Sequence, residues 1–226
     1  MSGEPALSLP AQLYLLSWDT TKDRSTGTPY LAHLVRAAAL TELAQRGLLL
    51  DRDGVATPAS PDAETGDPAL DGLLELVVES RPRKWKSWVT SRSKVTLDAV
   101  VAQLTKDGLL HDRSRRLLGI IPSHQYELAD RGIADGLRKR ARAVLLGDTP
   151  TAEVSDRDAA VIALATAGEL RTVASGKERR QYRDRIAALA ERGGDAAPAL
   201  RRVIQDVRAA VAIAAATAAS SAAANS

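Results

Sequence analysis

The chemistry open to this chain is carried by its cations. Between Arg81 and Arg142 there are 15 Lys/Arg against 6 Asp/Glu, a local net of +9, whereas the first 80 residues hold 5 against 12, a net of −7. The remainder holds 11 against 10, so the formal charge of the whole is only +3. The asymmetry says more than the total: one part of the molecule should seek a polyanion while another repels it. The basic stretch opens with Trp85 and Trp88 among Arg81, Arg83, Lys84, Lys86, Arg92 and Lys94, and it closes on Arg138, Lys139, Arg140 and Arg142. Three residues apart, the two indoles share a helical face. They either pack in the core or sit at a membrane interface with cations meeting anionic lipid. The cluster at 138–142 is a solvated helix face, or part of a common basic surface if the fold joins it to the other basic segments.

Arg36 is the sharper signal. It lies among Leu31, Leu34, Val35, Ala38, Ala39 and Leu43, on a helix whose apolar residues cover most of its circumference. A guanidinium there must reach water, pair with a carboxylate or bind an anion, and its fork suits bidentate phosphate contact. His33 and Glu42 on the same helix need an explanation as well.

No other constellation carries chemistry. Without cysteine there is no thiolate nucleophile, thiolate metal site or disulfide, and His33, His111 and His124 lack ligand spacing. No GxGxxG, phosphate loop or HExxH occurs, and Thr65-Gly66-Asp67-Pro68 reads as a turn capping a helix. We expect no enzyme activity, no metal and no cofactor. Residues 1–10 contain no cation and no long apolar run, and the Ala-rich end is too weakly apolar for a membrane span, so the expected location is the cytosol.

The elements that must position these residues are mostly helical. Helices are expected over 13–18 (Ser8 as cap, Pro10 in the first turn), 30–46 with Gly47 as the stop, 68–79, a short turn at 85–90, and 93–107 capped by Ser93 and ended by Gly108. Further helices follow over 130–147, 155–168, 170–174, 177–192 and 197 to about 215. Residues 48–57 read as a hairpin around Asp53-Gly54. A second hairpin uses 109–110, 117–121 and 125–128, with either 113–116 or Pro122 at a turn. The fold class is mainly α: a compact single-domain helical bundle over 9–212 with one or two small β-hairpins, flanked by a flexible 1–8 and an Ala/Ser-rich tail, 213–226.

Four blocks in order resemble the Golgi phosphoprotein 3 family, which includes the yeast vacuolar-sorting homologue and many actinobacterial proteins. They are Thr41-Glu42-Leu43-Ala44-Gln45-Arg46-Gly47, Thr65-Gly66-Asp67 with Leu70-Asp71, Leu104-Thr105-Lys106-Asp107-Gly108-Leu109-Leu110, and the segment 158–173. The Ala-rich, cysteine-free composition suits an actinobacterial member. The resemblance implies a mostly helical fold, peripheral attachment to the cytosolic face of a membrane through phosphatidylinositol 4-phosphate, and a hairpin used in self-association.

The family's headgroup pocket uses a Trp and three Arg. Arg36 stands at one arginine position, six residues before Glu42, and Lys94 at a second, fourteen before Gly108. Leu97 occupies the third, with Arg92 close by. The tryptophan's place falls near Gly27 or Thr28, and Tyr30 is the nearest aromatic. The basic N-terminal segment that engages coat proteins is not seen in residues 1–10.

The expected reading is therefore a non-enzymatic adaptor that binds an anionic headgroup through Arg36, Arg92, Lys94 and Tyr30. Trp85 and Trp88 would lie at the membrane interface. The hairpin residues Arg113, Leu117, Leu118, Ile120 and Ile121 would make a homo-oligomer contact. The rival is a winged-helix-like nucleic-acid-binding module. Its recognition helix, 93–107, offers only Lys94, Gln103 and Lys106, too few for base reading, so nucleic acid is not the expected partner.

Overall fold

The computed structural model describes residues 7–26, 30–113, 115–117, 121–123, 125–192 and 197–224. The molecule is built around α2 (Leu31–Gln45), where 12 of 15 residues are buried, so this helix is wrapped on every side. Its neighbours are α1 (Leu9–Leu16), α3 (Pro68–Val78), α4 (Trp85–Thr90), α5 (Ser93–Lys106), α7 (Asp156–Ala167) and α10 (Ala197–Ala224). Alanines at 37–39 and throughout α7 keep the packed faces shallow, so the backbones approach closely. Gly168 marks the tightest point: a Cβ there would meet Leu34 Cδ2 at 2.8 Å.

Three helices end the same way. In α2, Gly47 (φ 71°) lets the Leu48 amide donate to the Leu43 carbonyl and the Gly47 amide to that of Ala44. Gly108 and Leu109 repeat the pattern on α5. This closure satisfies carbonyls that a helix end otherwise leaves open. At the end of α7 the left-handed position falls to Glu169 (φ 51°), because the glycine just before it is the one needed against Leu34.

The β structure is peripheral. β1 (Trp18–Asp19) pairs with β2 (Arg24–Ser25), so Trp18, expected at the end of the first helix, opens a strand instead. β3 (Leu49–Arg52) and β4 (Val55–Pro58) form the anticipated Asp-Gly hairpin, and β5 (Arg83–Lys84) adds a third strand that residue patterning did not reveal. β6 (Leu110–Asp112) pairs with β9 (Tyr126–Leu128), and β7 (Arg115–Leu117) with β8 (Ile121–Ser123). Leu117 faces Ile121 and Pro122 is paired with Arg116, so neither 113–116 nor Pro122 is the tip.

Other expectations need correction. Ser93 is the first residue of α5 and not its cap; the cap position is Arg92, with no side-chain bond. Residues 170–174 form a turn rather than a helix. The helix expected over 177–192 is broken at Tyr182 into α8 (Gly176–Gln181) and α9 (Arg183–Ala190). The break follows from burial: α8 buries nothing, whereas α9 buries Ile186, Leu189 and Ala190. The last helix continues to Ala224.

Side chains lock these elements together. Glu42, 1 % exposed, accepts the Leu9 amide on Oε2 at 2.5 Å, and Arg46 and Arg157 on Oε1 at 2.6 and 3.0 Å. It ties α1 and α7 to α2, and explains the carboxylate on an apolar helix. Asp51 joins the first hairpin to α4 and α10 by accepting the Trp85 indole N–H, the Gly54 amide and the Arg202 guanidinium.

On α6 (Arg131–Leu146), Arg138 donates to the Trp18 carbonyl and Thr20, Arg140 pairs with Asp158 and Arg142 with Glu178. The basic helix is thus largely occupied in holding the bundle.

Glu178 also completes a capping box with Ser175. The Arg142 guanidinium, then the Ser175 amide, hold its carboxyl down at about 2, from an ordinary 4.5. A depressed folded value means the contribution is present above 4.5 and lost as pH falls through about 2. Glu178→Gln should lower the melting temperature at neutral pH yet converge with the parent near that acid limit, read by circular dichroism across pH. Parallel curves at all pH values would show the pair contributes nothing.

Candidate lipid-headgroup site

The Arg36 side chain is fully enclosed, 0 % exposed. Among the described residues it pairs with no carboxylate: its Nη2 donates to the Arg92 carbonyl at 2.8 Å, while Nε and Nη1 are buried with no acceptor there. Two of the three outcomes open to a guanidinium on an apolar helix are thereby removed: it neither reaches water nor forms an ion pair. Burial pulls its pKa down to about 10, so it is still charged at neutral pH. An uncompensated buried cation is costly, and an anion is the partner that would restore its ordinary ionisation.

Arg92 is the lid of this arrangement. It is exposed, adopts the left-handed backbone (φ 51°) uncommon for a residue other than glycine, and precedes the first turn of α5. Its carbonyl also accepts the Val95 amide at 3.0 Å, so Arg36 and the start of α5 share one oxygen atom. The turn that opens α5 therefore lies against the buried guanidinium.

The other expected members sit differently. Lys94 projects to solvent, 77 % exposed, and holds Asp98 at 2.8 Å. It reaches Arg36 only through the shared turn. Tyr30, half-buried at the start of α2, lines a cleft of about 530 Å³ with Lys22, Arg138, Arg171, Asp19 and Glu169, which includes none of Arg36, Arg92 and Lys94. Leu97 packs against the core. The family's tryptophan position, 27–28, lies outside the described residues.

Trp85 and Trp88 are 1 % and 2 % exposed, which corrects the expectation that they lie at a membrane interface. The single turn of α4 is packed against both α2 and α10, so residues three apart both point inward. Trp85 donates to Asp51, and the Trp88 ring lies 5.3 Å beneath the Arg83 guanidinium.

The cations around these indoles stay outside. Arg81, Arg83, Lys84, Lys86 and Arg92 are exposed, and none forms an ion pair among the described residues. Of the other cations between 81 and 142, Lys94, Arg113, Arg131, Arg138, Arg140 and Arg142 are paired. A second cleft, about 730 Å³ beside Gly66, holds one lining cation, Arg46, already committed to Glu42 and the Thr65 carbonyl. In the hairpin, Arg113 pairs with Glu127 and Leu117 faces Ile121, while Leu118 and Ile120 lie outside the described residues.

The structure encloses Arg36, the charge that stood out on an apolar helix, and exposes Val95, which the sequence reading did not single out. The signal was available: Val95 falls off the stripe of Leu97, Val100, Val101 and Leu104, and is 58 % exposed.

Fold and site together define a mainly helical protein with a buried arginine held by the Arg92 turn. The family model of Golgi phosphoprotein 3 (GPP34) matches residues 9–207, so the chain belongs to that family. No curated protein matches it in sequence. Membership is consistent, at family level, with a non-enzymatic, Golgi-associated lipid-binding adaptor. Among the described residues no helix is long and apolar enough to cross a membrane.

Proposed function

We propose that this protein docks on the cytosolic face of an anionic membrane by taking a phosphorylated lipid headgroup, of the phosphatidylinositol 4-phosphate kind, at Arg36, and that it acts there as an adaptor without catalysis. The observation that carries this reading is the enclosed guanidinium with two nitrogens lacking any acceptor. Entry requires the Arg92 turn to move aside, since its carbonyl occupies the third donor. Phosphate oxygens would then replace one carbonyl contact with charge-assisted, bidentate ones. The unpaired cations at 81–92 add attraction worth on the order of 1 kcal/mol each near an anionic surface.

Flotation with vesicles tests this. The protein should rise with phosphatidylcholine vesicles carrying phosphatidylinositol 4-phosphate, progressively less as salt increases, and stay behind with phosphatidylcholine alone. Equal recovery with both would sink the reading. Self-association through the hairpin extends it: Leu117→Asp with Ile121→Asp should lower the sedimentation coefficient, and an unchanged value would remove the hairpin from any assembly.

A further inference from the structure

Among the described residues the large exposed hydrophobics are Leu50, Val95 and Ile213. Val95 stands apart by what surrounds it. It occupies the first turn of α5, flanked by the exposed cations Arg92 and Lys94 and turned away from the helix's buried stripe. Its amide and Arg36 Nη2 meet on the same Arg92 carbonyl, at 3.0 and 2.8 Å. An apolar side chain therefore marks the rim of the anion site. A β-branched residue gains nothing in helix propensity there, and its apolar surface faces water.

We propose that Val95 is the apolar anchor of the docked protein, entering the headgroup–acyl boundary of an anionic bilayer beside Arg36. The inference rests on the lipid-docking reading and deepens it, because it selects a phosphate that belongs to a membrane over one free in solution. A soluble anion leaves Val95 in water. A bilayer whose headgroup reaches Arg36 must lie across the start of α5, where it covers Val95 beside the exposed Arg92, which suits its charge, while Lys94 stays paired with Asp98. Cations flanking an apolar residue are the pattern that anchors peripheral proteins at interfaces.

Two measurements test it. Val95→Ser should bind vesicles containing phosphatidylinositol 4-phosphate about fivefold more weakly. Its affinity for soluble glycerophosphoinositol 4-phosphate, measured by calorimetry, should be unchanged, as should its melting curve. The chain has no cysteine, so Val95→Cys offers a unique labelling position. An environment-sensitive fluorophore there should shift to the blue on these vesicles and be quenched by lipids brominated in the acyl chain, while one at Leu50→Cys should not respond. If vesicles bind the wild type but the label at position 95 stays aqueous, this inference fails and the headgroup reading stands. If vesicles do not bind the wild type, both fail.

Discussion

Arg36→Met should give a protein that melts no lower than its parent, yet no longer floats with anionic vesicles. The two halves follow from the same geometry. The guanidinium is enclosed with one hydrogen bond and, among the described residues, no counter-charge. Exchanging a buried ion for a hydrophobic side chain of similar size is often neutral or stabilising by about 1–4 kcal/mol. For a domain of this length each kcal/mol moves the melting temperature by roughly 2–4 °C. The methionine would fill the space without creating a cavity, which an alanine would leave.

Binding changes in the opposite direction. Each hydrogen bond to a charged group is worth about 1.5–3 kcal/mol, so losing even one should weaken vesicle binding tenfold or more. Arg36→Lys should fall between, keeping the charge but not the fork. Thermal shift supplies the cross-check: soluble glycerophosphoinositol 4-phosphate should raise the wild-type transition and leave that of Arg36→Met in place, because a ligand stabilises only a state it binds. A strongly destabilised Arg36→Met with undiminished flotation would make Arg36 a structural residue and remove the pocket.

Much of this was legible before any coordinates. The helix endings at Gly47 and Gly108 were, because a left-handed residue after an apolar run leaves a glycine in the sequence. So was the Asp67 cap, whose carboxylate accepts from Ala69 and Leu70. Arg36 was conspicuous for being a charge on an apolar helix. What the residues did not disclose is where donors find backbone acceptors. The Arg92 carbonyl that holds Arg36, and the Trp18 carbonyl that holds Arg138, carry no side-chain signature. The basic helix therefore read as surface when it is a clasp. The tryptophans read as interfacial because their cationic neighbours dominate the sequence, but a one-turn helix between two larger ones leaves both indoles nowhere else to point. Strand β5 escaped because two residues are too few for any alternation.

Glu42→Ala should be the most destabilising single change on α2, by on the order of 3–5 kcal/mol, the usual cost of breaking a buried charged network. Against a total stability of about 5–15 kcal/mol, that moves the melting temperature down by roughly 10 °C. Three donors lose their acceptor at once. Arg46 and Arg157 are partly exposed and can turn to water, so the heavier part of the cost falls on the Leu9 amide, which opens α1 inside the core. Arg157 also holds the Leu7 carbonyl, so the entry of the chain into α1 loosens with it.

Glu42→Gln should recover part of the loss, keeping one acceptor while setting an amide group against donors. A loss below about 2 °C in Glu42→Ala, within the range of an ordinary surface substitution, would mean the carboxylate is not the joint between α1, α2 and α7. Below its lowered transition, however, Glu42→Ala should still float with anionic vesicles, because nothing at Arg36 has been touched. Two buried charges six residues apart on one helix therefore separate cleanly. Removing the one that is fully partnered should cost stability and spare binding, and removing the one held by a single carbonyl should do the reverse.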